Sequence, residues 1–179
     1  MLRWIALVLL AVSTIASAQP AEPSGAWNSL AKTTWVAEGS NKPARQIYVF
    51  TDTECSYCHR LWKAMQPMLA SHSDLQVRNV LVAVISEDSL PRAETILASS
   101  HPSSAFERHQ RAFEGKGLPM SKVARPALAE KIHANATVMA SYNLRGTPAI
   151  LYRTPDGLIR RVPGVPDEAT LRRIFDEAR

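Results

Sequence analysis

At 179 residues the chain is about one domain long, and 21 Lys and Arg against 16 Asp and Glu give it a formal charge of +5. The basic residues are dispersed, with pairs at Arg160-Arg161 and Arg172-Arg173 and no interleaved aromatic side chains, so they read as a solvated face that sets solubility and steering and not as a nucleic-acid platform. The only two cysteines fall in one tetrapeptide, which excludes a small fold stapled by disulfides.

The first eighteen residues carry export information. Arg3 supplies a positive start, residues 4–12 an apolar run, and Ala16-Ser17-Ala18 a small-residue cleavage site ahead of Gln19-Pro20, the pattern of a cleavable signal peptide. The apolar run falls short of the ~20 residues needed to cross a bilayer, so no stable membrane insertion is expected after cleavage. The mature chain is expected in an oxidising compartment outside the cytoplasm. Residues 19–45, rich in Pro, Ser, Ala and Gly, read as a leader lying on the domain, with Trp27, Leu30, Trp35 and Val36 as anchors and a short helix near residues 26–33. The domain proper is expected over residues 46–179.

Residues 46–51 read as a strand, and residues 55–70 as a helix whose Leu61, Trp62, Met65, Met68 and Leu69 share one face; Pro67 should kink it. Residues 75–85 begin by alternating and turn continuously apolar from Val80, as in a parallel strand buried on both faces. Helical segments follow at residues 90–99, 103–114 and 126–142. Strands are expected at residues 149–153 and 158–162 around the Pro155-Asp156-Gly157 turn, and Asp167 can cap a last helix striped by Leu171, Ile174, Phe175 and Ala178. A βαβ unit, a helical insertion and a ββα unit make an α/β domain: one mixed central sheet with helices on both faces.

Cys55-Ser56-Tyr57-Cys58 lies where the first strand runs into the helix. Helix N–H groups and the dipole favour a thiolate on Cys55, which is expected at the first turn, partly exposed, as the nucleophile. Cys58, one turn on, lies beneath it and can attack a mixed disulfide to release the substrate. The pair closes too small a loop to stabilise the fold much, so its reversible disulfide is the function it suggests. His59 has two readings, a cation near the thiolate or a solvent-facing histidine, and Tyr57 flanks the substrate or is simply an exposed aromatic. Cys-x-x-Cys-His is also the attachment string of a c-type haem, with His59 and Met120 or Met139 as axial ligands; the strand leading into the motif and the βαβ pattern argue against it. Structural zinc lacks a fourth ligand, and His72, His101, His109 and His133 are dispersed, each expected to be a surface or satisfied core histidine. No metal or cofactor is expected. Thr147-Pro148, at the start of a strand after Gly146, is a candidate cis bond whose backbone pairs with an extended substrate if the fold brings it opposite Cys55.

The run from Phe50 to His59 with Trp62 resembles the active-site region of the periplasmic DsbC/DsbG thiol:disulfide interchange proteins. Residues 77–85, 93–106, Gly146-Thr147-Pro148-Ala149 and Gly164-Val165-Pro166 resemble the rest of the DsbG-type catalytic domain. This resemblance, covering residues 45–179, implies a thioredoxin-like fold with a helical insertion and a cis Pro148 preceded by Thr147. By it Cys55 attacks and Cys58 resolves. It implies periplasmic location, cysteine-containing exported proteins as substrates, a membrane electron donor of the DsbD type, and disulfide reduction or isomerisation, or reduction of sulfenic acids. Ser56-Tyr57 departs from the usual Gly-Tyr or Pro-Tyr, and residues 19–45 are too few for the family's N-terminal dimerisation domain. The alternative of a different class is a non-catalytic chaperone or binding module on the same scaffold.

Overall fold

The computed structural model describes residues 24–179; the expected signal peptide and the start of the leader lie outside the described residues. Helix α1 (Ser24–Ala31) is followed by β1 (Trp35–Gly39), β2 (Arg45–Asp52), α2 (Ser56–Ser71), β3 (Leu75–Val82), α3 (Ser89–Leu97), α4 (Pro102–Arg111), α5 (Pro126–Ser141), β4 (Ala149–Arg153), β5 (Ile159–Pro163) and α6 (Glu168–Glu177), with a single 3₁₀ turn at Phe113–Gly115 after α4. The sheet runs β1-β3-β2-β4-β5. Strands β2 and β3 are parallel, and the other three neighbours pair antiparallel.

Alternation along β2 divides the core. Ile47 and Val49 point to one face, where they meet Leu61 and Met65 of α2 and Leu171, Ile174 and Phe175 of α6. Tyr48 and Phe50 point to the other, against Leu30 of α1 and Met139 of α5. A third cluster joins Trp62 of α2 to Ala93 and Ile96 of α3, Ala105 and Phe106 of α4 and Ile132 of α5, so the insertion packs directly on the helix that carries the cysteines. All these side chains are buried, and apolar burial of this kind is the main favourable contribution to folding.

Two expectations change. The segment read as a leader carries the expected short helix as α1, but at Trp35–Gly39 it also supplies the edge strand of the sheet, paired with β3 from Trp35↔Val80 to Gly39↔Gln76. An edge strand with one fully buried residue, Val36, leaves little apolar signal in the sequence. Strand β3 ends at Val82 and not at residue 85, because the Val84 and Ile85 amides leave the ladder and donate to Asp52 Oδ2 at 2.7 and 3.1 Å. Pro67 sits inside α2 without ending it.

Candidate active site

Helix α2 begins at Ser56, so Cys55 is its N-cap, with extended backbone angles (φ −89°, ψ 110°). Its sulfur does what a capping oxygen does, accepting the Cys58 N–H at 3.4 Å. On its other side the Cys55 thiol donates to the Thr147 carbonyl at 3.5 Å. The Thr147–Pro148 peptide is cis, and the Gly164 N–H holds the Pro148 carbonyl at 2.8 Å. Cys55, Cys58, Thr147 and Pro148 are thus brought together by the end of β2, the start of α2 and the start of β4.

Both cysteines are free thiols in this structure, and their surroundings divide them. The Cys58 thiol donates to the Cys55 sulfur and, with the Thr147 hydroxyl and the backbone N–H groups of Cys58 and Tyr57, lowers the Cys55 pKa from 9.0 to about 6 against the opposing effect of burial. Burial, then the bond to Cys55, pushes Cys58 strongly upward. At neutral pH the pair is one thiolate over one thiol, the arrangement that thiol–disulfide exchange uses. The expectation of a partly exposed Cys55 is corrected: it is 5 % exposed, because the Thr147 carbonyl lies against its sulfur. Thr147 Oγ1 is buried beside both sulfurs but makes no hydrogen bond of good geometry in this dithiol state; ionisation of Cys55 gives it a strong acceptor.

Tyr57 is 57 % exposed, with the Arg60 guanidinium 5.1 Å from its ring centre, and so stands at the rim of the site. The solvent-facing reading of His59 is corrected by its position. Its ring is buried, stacked on Phe113 at 4.7 Å between centres, and its Nδ1 lies 3.2 Å from Gln110 Oε1. Packing of α4 and the 3₁₀ turn against α2 turns it away from solvent, and an axial-ligand role would require undoing that stack.

The turn ahead of Cys55 is organised by Asp52, Glu54 and Arg92, which the sequence did not single out, and by His109, which is a satisfied core histidine as expected. The Asp52 carboxylate is buried and accepts the Glu54 N–H at 2.9 Å and the Ser89 hydroxyl at 2.7 Å on Oδ1, and the Val84 and Ile85 amides on Oδ2. It joins the active-site turn to the β3–α3 loop. His109 fixes the next residue: Nε2 lies 2.9 Å from the Thr53 carbonyl, and Nδ1 accepts the Leu118 N–H at 3.2 Å. With both nitrogens used by a neutral ring, the Nε2–H donates to Thr53, and burial holds the His109 pKa down. Gly117 is required beside it, since at φ +66° a Cβ would stand 2.4 Å from His109 Nδ1. Glu54, adjacent to Cys55, pairs with the buried guanidinium of Arg92, which also donates to the Lys116 and Leu118 carbonyls. The i to i+2 bond from Asp52 to Glu54 is an Asx-turn signal that an Asp at a strand end carries locally; the other contacts have no local signal.

A thioredoxin-like domain model matches residues 30–179, and the chain belongs to that family. Its motif and topology agree: a parallel strand enters a helix whose N-cap is the first of two cysteines, opposite a cis proline. Among curated relatives it is similar to the thiol:disulfide interchange protein DsbG of Pseudomonas aeruginosa, 30% identical over 150 residues, covering 83% of this chain and 58% of that protein. DsbG of Escherichia coli is 28% identical over 151 residues, covering 83% and 60%. The chain thus spans less than two thirds of the length of these relatives. The catalytic domain of Proteus mirabilis ScsC shares the fold, with a TM-score of 0.68 at 19% identity over 85% of this chain and 93% of that one.

Proposed function

We propose that this chain is a periplasmic thiol:disulfide oxidoreductase that reduces or isomerises disulfides of exported proteins. The observation that carries the reading is the division between the two sulfurs, a Cys55 thiolate near pKa 6 capping α2 and a buried, protonated Cys58 one turn below. The Cys55 thiolate attacks one sulfur of a substrate disulfide in line with its S–S bond. A Cys55–substrate bond forms, and the other substrate sulfur leaves with the electron pair as thiolate. Release follows by one of two routes. In isomerisation another substrate thiolate attacks the mixed disulfide and returns Cys55 unchanged. In reduction Cys58 loses its proton to solvent or the leaving thiolate and attacks Cys55. The substrate then carries two electrons more, and the protein carries the Cys55–Cys58 disulfide.

Thr147 serves the first step from both its groups. Its carbonyl, which accepts from the Cys55 thiol in the resting state, is freed on ionisation to accept an N–H of an extended substrate. Its hydroxyl, unpartnered in the dithiol, has the thiolate to donate to. Tyr57 flanks the incoming polypeptide. A membrane electron donor of the DsbD type returns the disulfide to the dithiol, and residues 1–18 direct export and are removed. The same thiolate attacking a sulfenic acid would expel hydroxide as water and give the same mixed disulfide, so single oxidised cysteines fall within the chemistry.

The test is insulin reduction by the wild type and by Cys55→Ser and Cys58→Ser. The expected result is loss of turnover in both, with a trapped protein–insulin mixed disulfide accumulating in Cys58→Ser alone. Reduction by Cys55→Ser at the wild-type rate would end the proposal. Suppression of aggregation that survives loss of both thiols, without exchange in the wild type, would favour the binding-module alternative.

A further inference from the structure

A groove of about 540 Å³ starts at the Thr147–Pro148 peptide and runs between the loop after α5 and strand β5. Its near end is the carbonyl that touches Cys55 Sγ, so a polypeptide joined to Cys55 has this groove open to the residues beside its own cysteine. The walls are held from within: the Gly164 N–H holds the Pro148 carbonyl at 2.8 Å, and Arg161 Nη1 donates to the Tyr142 carbonyl at 3.3 Å. The charge is one-sided. Arg145 lines the groove, and no acidic residue does among the described residues. Arg145 is exposed and has no ion pair or hydrogen bond among the described residues. It is two residues from Thr147, at most about 7 Å along the chain, with bends at Gly146 and Thr147 between them, which keeps it within reach of substrate residues close to the reacting cysteine.

We infer that this groove selects substrate polypeptides with acidic residues flanking the cysteine, and that Arg145 is the residue that reads them. The inference rests on the exchange reading above and names its substrate class. An exposed guanidinium adds little equilibrium affinity, but complementary charge raises encounter rates and fixes register. That is the step at which a transient mixed disulfide chooses its partner.

Peptides with one cysteine joined to thionitrobenzoate, and Glu, Gln or Lys placed two and three residues away, test this directly. The reduced Cys58→Ser variant attacks the peptide sulfur and expels the coloured thiolate, so one turnover is read by absorbance and the adduct by mass. Rates should fall in the order Glu, Gln, Lys, with Glu over Lys by about fivefold at low salt and near parity at 1 M salt. Adding Arg145→Glu should invert the order. A Glu to Lys ratio of one or less in the protein with Arg145 intact, or a ratio that Arg145→Glu leaves alone, overturns the inference. Should no peptide react, the exchange reading fails, and the groove is then judged by fluorescence anisotropy with serine in place of the peptide cysteine. Tighter binding of the Glu peptide upholds the acidic preference, and equal binding overturns it.

Discussion

The two flanks of the active site are built in opposite ways. On the insertion side every polar group near the nucleophile has a partner: Thr53 is held by His109, Glu54 by Arg92, His59 by Gln110, and the Asp52 carboxylate accepts four donors. On the groove side Thr147 Oγ1 is buried without one, and Arg145 stands free among the described residues. Buried polar groups are nearly always satisfied, so the contrast separates a frame that fixes the nucleophile from a surface left open for a substrate. On the proposed function, a rigid wall on one side would hold the thiolate in place while the other accommodates different polypeptides.

The contrast breaks most sharply at Asp52. Asp52→Ala leaves three amides and a hydroxyl without their acceptor and should cost about 3 kcal/mol, read as a lower urea midpoint at constant m-value. A loss below about 1 kcal/mol would mean that water replaces the carboxylate and that the frame is not held from this point. Arg92→Met keeps the aliphatic stem but strands Glu54 and two carbonyls, for about 2 kcal/mol. It also removes a positive charge and leaves an uncompensated carboxylate next to Cys55, so the alkylation midpoint of Cys55 should move upward. His59→Leu removes the Gln110 contact and the stack on Phe113, and should cost about 1 kcal/mol. The Cys55 titration should stay where it is, because the bonds that lower its pKa come from Cys58, Thr147 and the Tyr57 amide, while His59 pins the insertion. A large upward shift would restore the cation reading.

How much of this was legible in the sequence follows from how local each signal is. The apolar run of residues 47–50, the helical stripe of α2 and the Asp167 cap, whose side chain accepts the Thr170 N–H, are local patterns and translate directly into elements. The Cys55–Cys58 pair is equally local, since its spacing and helix position are both written within a few residues. The thioredoxin-like fold with its insertion was readable from element order together with motif resemblance. What escaped is non-local or polar. Strand β1 is an edge strand with few buried positions. Asp52 reaches Val84 across 32 residues and His109 reaches Thr53 across 56, and no periodicity announces such a contact. The burial of His59 depends on where α4 and the 3₁₀ turn land, which a first-turn position alone does not reveal.

On the groove side the expected effects are smaller and fall on the thiolate. Iodoacetamide alkylation of the reduced protein should titrate with a midpoint near 6, where an ordinary cysteine would rise only near 8.5. Because the folded value lies below the unfolded one, the reduced protein binds fewer protons folded than unfolded between these values. Its stability therefore grows as pH rises from about 6 to about 9 and is lost as pH falls back through 6. Cys55→Ser should flatten that slope. Thr147→Val, the mildest change, exchanges an unpartnered buried hydroxyl for a methyl and should leave the stability of the protonated dithiol unchanged or slightly higher. The thiolate loses a donor, so the Cys55 midpoint should rise and alkylation at pH 6 should slow by about twofold. A variant that slowed alkylation while also destabilising the protonated form would show that the hydroxyl belongs to the frame, and the division between the two flanks would fail at Thr147.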